Sequence, residues 1–176
     1  GEIMYIVILN GRPTVGKDEF VLQCHAIIPT VFNISTVDFV KHLATECGWD
    51  GTKTAANRKF LSDLKDLLTQ WDDVPFKKIE HELQIYARHM ESYDIPEHQQ
   101  IAFVHCREPQ EIQKFVDRLG AVSLLITRPG VDGHEQYNHA DMEVENYHYD
   151  FTIANDGTIE DLHQKAKEFL TVLTGH

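Results

Sequence analysis

Gly11-Arg12-Pro13-Thr14-Val15-Gly16-Lys17-Asp18 follows the apolar run Ile3-Met4-Tyr5-Ile6-Val7-Ile8-Leu9 after a single residue. The run is continuous and rich in β-branched side chains, the pattern of a strand buried on both faces of a parallel sheet. The next eight residues fit G-x-x-x-x-G-K-[ST] except at the last position. Glu19–Ile28 then reads as a helix that stops before Pro29. Strand, glycine loop and helix in this order suit a phosphate group. Glycines let backbone N–H groups turn inward, and the helix N-terminus adds partial positive charge. Lys17 reaches the terminal phosphates as a point charge. The bland alternative is a glycine turn with a solvent-facing lysine; the agreement of strand, spacing, lysine and helix favours phosphate.

Asp18 departs from the pattern, which has a hydroxyl there to ligate Mg²⁺. A carboxylate also serves Mg²⁺, directly or through water, because hard cations take oxygen ligands. It equally suits the first turn of a helix as a cap.

The chain has 176 residues, with 16 Lys and Arg against 28 Asp and Glu, a net charge of −12. That balance excludes a nucleic-acid polymer or an anionic membrane as the main partner, since both want a basic face. No apolar run approaches the ~20 residues that span a bilayer. Ile3–Leu9 is short for a signal peptide and lacks a basic leader, so a natural start at Met4 is expected. Cys24, Cys47 and Cys106 are odd in number and widely spaced, as reduced thiols of a cytoplasmic protein are.

Beyond the loop, Val31–Val37 reads as a second strand leading to Asp38, and 38–95 reads as wholly helical. Phe60, Leu64, Leu67 and Trp71 make one amphipathic stripe; Phe76, Ile79, Leu83, Tyr86 and Met90 make another. Ile101–Cys106 returns to a strand, Pro109 opens a helix closed by Gly120, and Ala121–Ile126 is a fourth strand. Residues 128–149 read as a polar loop, Phe151–Ala154 as a last short strand, and Thr158 as the N-cap of a final amphipathic helix. The expectation is a single α/β domain over 1–176, three-layered, with a mostly parallel five-stranded sheet and a helical insertion between strands two and three.

With the loop ending in Gly16-Lys17-Asp18, the chain resembles phage deoxynucleoside monophosphate kinases and animal-type phosphomevalonate kinases, which share the nucleoside monophosphate kinase fold. His105-Cys106-Arg107-Glu108-Pro109-Gln110-Glu111 is similar to that group's strand-end motif: Asp, one residue, Arg, then a helix bearing an acid. Asn138-His139-Ala140-Asp141 and Asn155-Asp156-Gly157-Thr158 are similar to its closing segment. The resemblance implies the P-loop fold with strand order 2-3-1-4-5. It also implies phosphoryl transfer from ATP, with Mg²⁺, to a small phosphorylated acceptor, foremost a nucleoside or deoxynucleoside monophosphate. The region 38–95 would bind the acceptor, and 128–149 would be lid-like. A non-nucleotide phosphorylated acceptor, or a nucleotide-binding regulator without catalysis, remain the alternatives, and a homodimer stays open.

On this resemblance residues 11–18 and Asn155 hold ATP, and Arg107 handles the acceptor or transferred phosphate. A guanidinium fork suits phosphate oxygens; a salt bridge to Glu108 or Glu111 is the structural alternative. His105 stands where the group has Asp, leaving Glu108 or Asp38 as the carboxylates at hand. Asp38 takes a proton, holds Mg²⁺ through water, or caps the next helix. Lys41, one turn on, faces the same phosphate or the solvent. Arg128 is the sole Lys or Arg between 128 and 149 and would meet charge on the transferred group, with Arg12 sharing that work. Arg58 and Arg88 are candidates for the acceptor site, and Tyr86 and Tyr93 for stacking on a base; otherwise they are surface charges and half-buried aromatics. The 11 histidines show no metal-ligand spacing.

Overall fold

The computed structural model describes residues 4–130 and 144–176. Five strands, β1 (Tyr5–Asn10), β2 (Phe32–Ser35), β3 (Ile101–His105), β4 (Val122–Thr127) and β5 (Phe151–Ala154), form one sheet in the order β2-β3-β1-β4-β5. The order is the one the resemblance implied; every pairing is parallel, where a mostly parallel sheet was expected, and β1 lies at the centre. Six α-helices lie among the described residues: α1 (Lys17–Ile27), α2 (Asp38–Glu46), α3 (Ala55–Asp72), α4 (Val74–Ser92), α5 (Pro109–Leu119) and α6 (Ile159–Thr174).

The alternation of β1 builds two cores. Val7 and Leu9 face one layer, where Phe20 and Val21 of α1 meet Leu162, Phe169 and Leu170 of α6. Ile6 and Ile8 face the other, where Phe76, Ile79 and Leu83 of α4 meet Ile112 and Phe115 of α5. Both faces of β1 are thus dry, which is why its sequence is apolar without alternation. α6 opens on a capping box between Thr158 and Asp161, confirming the cap expected there.

One stripe differs from its sequence reading. Phe60, Leu67 and Trp71 are exposed, Trp71 to 75%, and α3 has no fully buried residue. The half-buried face is instead Leu61, Leu64, Lys65 and Leu68. These positions also recur at helical spacing, so the sequence carried two overlapping stripes and α3 turns this one inward.

Candidate active site

All strands run the same way, so their C-terminal ends share one edge of the sheet. There β1 ends in Asn10, 1% exposed, whose side chain orders the edge. Its Oδ1 accepts the N–H of Gly11 at 2.8 Å; its Nδ2 donates to the Arg107 carbonyl at 3.3 Å and to the Tyr149 hydroxyl at 2.9 Å. Tyr149 in turn donates to the Val144 carbonyl at 2.5 Å. Asn10 therefore ties the start of the glycine loop to the turn after β3 and to the segment before β5.

The two glycines are dictated by what surrounds the loop. A Cβ on Gly11 would stand 2.6 Å from the Ile126 carbonyl oxygen of β4. Gly16 has φ +98°, a left-handed conformation that penalises any side chain, and its Cβ would stand 2.5 Å from Asn155 Nδ2. Thr14 is also left-handed, at φ 68°. The first bond into α1 runs from Phe20 N–H to the Gly16 carbonyl, so the N–H groups of Asp18 and Glu19 are among the leading donors of the helix. Lys17 reaches back across the loop, its Nζ 2.5 Å from the Gly11 carbonyl and 3.4 Å from that of Arg12. Loop backbone, helix start and one ammonium thus surround a single position, and the donor set fits a polyphosphate.

Asn155, which the resemblance implied as an ATP residue, touches the glycine loop itself. Its Nδ2 donates to the Val15 carbonyl at 2.9 Å, and its own N–H goes to the Thr127 carbonyl at 2.7 Å. Its side chain buttresses the loop from behind.

His105 closes β3 between the ends of β1 and β2, in register with Leu9 and Ser35. Its carbonyl accepts Thr36 N–H at 3.1 Å, and its Nε2 lies 2.7 Å from Asn33 Oδ1. Burial lowers its pKa below the ordinary histidine range; Asp18 and Asp38 push it up, Lys17 and Arg107 push it down. The charges of four residues singled out from the sequence are thus felt at one imidazole. Asp38 opens α2 and accepts the Ser35 N–H at 2.8 Å, so its carboxylate closes the turn after β2. Asp18 and Asp38 are both exposed oxygen donors, which fits Mg²⁺ shared with phosphates and water. Among the described residues no group of three or more His, Cys, Asp or Glu could hold a metal ion by itself.

Arg128 is exposed directly after β4, on the same edge. Lys41 is exposed one turn into α2. Arg58 stands in the first turns of α3. That helix passes Glu111 at Lys65 and ends beside Lys114 at Asp73, so it runs alongside α5. Arg58 lies about 10 Å before Lys65 along it.

Arg88 is exposed on α4. Tyr86, two residues earlier, is buried at the opposite edge: its hydroxyl donates to the Thr30 carbonyl at 2.6 Å and accepts Ile101 N–H, at the first residue of β3, at 3.1 Å. Its ring stacks on Phe32 and burial pushes its pKa up to about 12. Tyr93 is exposed beyond it at the end of α4. Neither tyrosine meets the phosphate loop. Within the lid-like loop, Asp132, His134, Glu135, Asn138, His139, Asp141 and Glu143 lie outside the described residues. Asp150 is engaged elsewhere, accepting the Ser123 N–H at 2.9 Å.

Sequence reading missed Asn10, Asn33 and Lys65, and gave Glu111 only as the motif's helix acid and as an alternative partner for Arg107. Glu111 pairs with Lys65 at 2.9 Å and accepts a hydrogen bond from the Cys106 thiol at 3.1 Å.

No family model matches the chain, and no curated protein matches it. Among solved structures it resembles a candidate kinase of Chloroflexus aurantiacus, at 12% identity and TM-score 0.55, covering 98% of this chain and 99% of that one. An APS kinase of Mycobacterium tuberculosis aligns at 11% identity and TM-score 0.48, over 97% and 99%. At such identity the likeness to the first speaks to fold. With the all-parallel sheet and the glycine loop after β1, it shows a three-layered α/β P-loop fold.

Proposed function

We propose that this chain is an ATP-dependent small-molecule kinase that moves the γ-phosphoryl group of ATP to a small phosphorylated acceptor. The nucleoside and deoxynucleoside monophosphates are the acceptors to test first. The observation that carries the reading is the glycine loop at the C-terminal end of the central strand, with left-handed Gly16 opening α1 and Lys17 reaching back across the loop to the Gly11 carbonyl.

In this reading an acceptor oxygen attacks the γ-phosphorus while the bond to the β–γ bridging oxygen breaks and ADP departs. Loop N–H groups and Lys17 hold the polyphosphate, and Lys17 stays beside the charge that grows on the bridging oxygen. Arg107 orients the acceptor phosphate, with Arg128 and Arg12 placed to meet equatorial oxygens. Little covalent work falls to the protein, so positioning and charge stabilisation supply most of the rate. Mg²⁺, when bound, would neutralise phosphate charge, with Asp18 and Asp38 as its protein ligands. The acceptor would enter over 38–95, with Arg58 of α3 among its contacts, and 128–149 would be the lid-like part, all within one domain. A cytoplasmic location belongs to the same reading. The exposed apolar face of α3 supports a homodimer, which light scattering can test.

A second reading, a non-nucleotide phosphorylated acceptor, draws on one observation: Tyr86 and Tyr93 are both away from the loop edge, so neither offers a stacking platform there. Transfer of label from γ-labelled ATP to a panel of monophosphates and phosphorylated alcohols, with Lys17→Ala as control, decides between them. ATP binding without transfer to any acceptor would instead make the chain a nucleotide-binding regulator.

A further inference from the structure

We propose that Glu111 is a positioning residue that sets the place of Arg107 by clamping the β3–α5 turn to α3. The inference rests on the kinase reading for its consequence but not for its geometry. Lys65 Nζ and Cys106 Sγ both meet the same oxygen, Oε1 of Glu111, at 2.9 and 3.1 Å. The Lys65 and Glu111 side chains are only 13% and 9% exposed, and Cys106 is buried. Three elements therefore share one dry contact: the middle of α3, the first turn of α5 and the residue directly before Arg107.

The turn is held on its other sides by backbone. Cys106 N–H goes to the Leu9 carbonyl at 3.2 Å, Arg107 carbonyl receives Asn10, and Ile112 N–H goes to the Glu108 carbonyl at 2.9 Å. Those bonds register the turn against β1 and α5. The Glu111–Lys65 pair adds its tie to α3, the helix that carries Arg58 into the proposed acceptor region.

A buried ion pair contributes little net stability over apolar side chains of similar volume. Two apolar residues would hold α3 and α5 together equally well. They could not accept a hydrogen bond, so the thiol beside Arg107 would lose its directional anchor. The thiol itself stays protonated, since burial raises its pKa well above the usual thiol range, and is thus a donor throughout the physiological range. The role left for the charged pair is geometric.

The test uses the full chain as the double variant Lys65→Met/Glu111→Leu, which removes both charges and keeps the volume. Cys106→Ala and Cys106→Ser are compared with it. Amide hydrogen exchange across 106–108 reads the clamp without reference to activity. We expect exchange there to rise at least tenfold in the double variant and in Cys106→Ala, with the urea midpoint of the double variant near wild type and Cys106→Ser close to wild type in exchange. Steady-state transfer from ATP to the acceptor that wild type uses best should show acceptor KM raised about tenfold or more, as a small misplacement of a phosphate-orienting group implies, with ATP affinity unchanged within twofold. Unchanged exchange at 106–108, or acceptor KM and ATP affinity moving together with lost stability, would overturn the positioning role. Wild type without transfer to any acceptor would refute the kinase reading alone, and the exchange rates would still judge the clamp.

Discussion

Gly16 and Asn155, 139 positions apart in sequence, make the sharpest test of how the glycine loop is built. Alanine at position 16 must adopt φ near +98°, which costs roughly 1–2 kcal/mol for a residue with a side chain. Its Cβ would also stand 2.5 Å from Asn155 Nδ2. Asn155 is the far end of a flexible side chain, so it swings away and abandons the Val15 carbonyl, at a cost of about 1–2 kcal/mol. Gly16→Ala should therefore destabilise by about 2–4 kcal/mol, and Asn155→Ala by about 1–2 kcal/mol. The double variant loses the hydrogen bond only once, so it should be no worse than Gly16→Ala alone. A double-mutant cycle by urea unfolding should give a coupling of about 1–2 kcal/mol, with ATP affinity lowered in all three variants. Single costs that add to the double within about 0.5 kcal/mol would refute the argument that Asn155 supports the loop at Gly16.

Lys17→Ala should abolish transfer while leaving the urea midpoint close to wild type; full activity in that variant would sink the assignment. Asp18→Ala should cost about a hundredfold in transfer if it is a Mg²⁺ ligand, and Asp18→Ser, which restores the usual hydroxyl, should recover most of it; equal activity in both would place Asp18 outside the metal site. Tyr86→Phe should cost about 1–3 kcal/mol of stability by leaving Ile101 N–H without its partner, with acceptor KM unchanged within twofold; a large rise in KM would return Tyr86 to the acceptor site. Stability should fall above pH 9. Burial raises the thiol of Cys24 from 9.0 to about 12 and the phenol of Tyr86 from 10.0 to about 12, so the folded chain keeps protons that the unfolded chain has released. Each group contributes stability in full below its unfolded pKa and loses it through the folded one, up to about 1.4 kcal/mol per pH unit. Cys106 shares the slope, so urea unfolding of Cys24→Ala should show it roughly halved between pH 9 and 10; an unchanged slope would contradict the burial argument.

The elements legible in advance were those whose pattern has a single physical meaning. β1 and its loop could be read because a doubly buried strand is apolar throughout and a left-handed turn wants glycine. α6 could be read because Thr158 and Asp161 cap it reciprocally. The site was legible only where a motif is local. Asn10 looks like any polar residue after an apolar run, and nothing nearby in sequence announces Arg107 or Tyr149 as its partners. Lys65 and Glu111 lie 46 positions apart and resemble ordinary helix charges. The available signal was weak: Lys65 falls on the Leu61, Leu64 and Leu68 stripe. Tyr86 misled for the converse reason, since an aromatic on a helix in an acceptor region says nothing of which end of the sheet the helix reaches.

The central place of β1 has a consequence during synthesis. Tyr5 pairs with Ile101 and Val7 with Val122, so the strand is made long before either of its neighbours. At ordinary elongation rates of about 5–20 residues per second, it waits about 5–20 s for β3. Throughout that interval an apolar, β-prone segment of the nascent chain has no sheet to join. The same burial that seats the glycine loop so firmly therefore makes the unfinished chain a natural client for chaperones and prone to aggregate when truncated before residue 101.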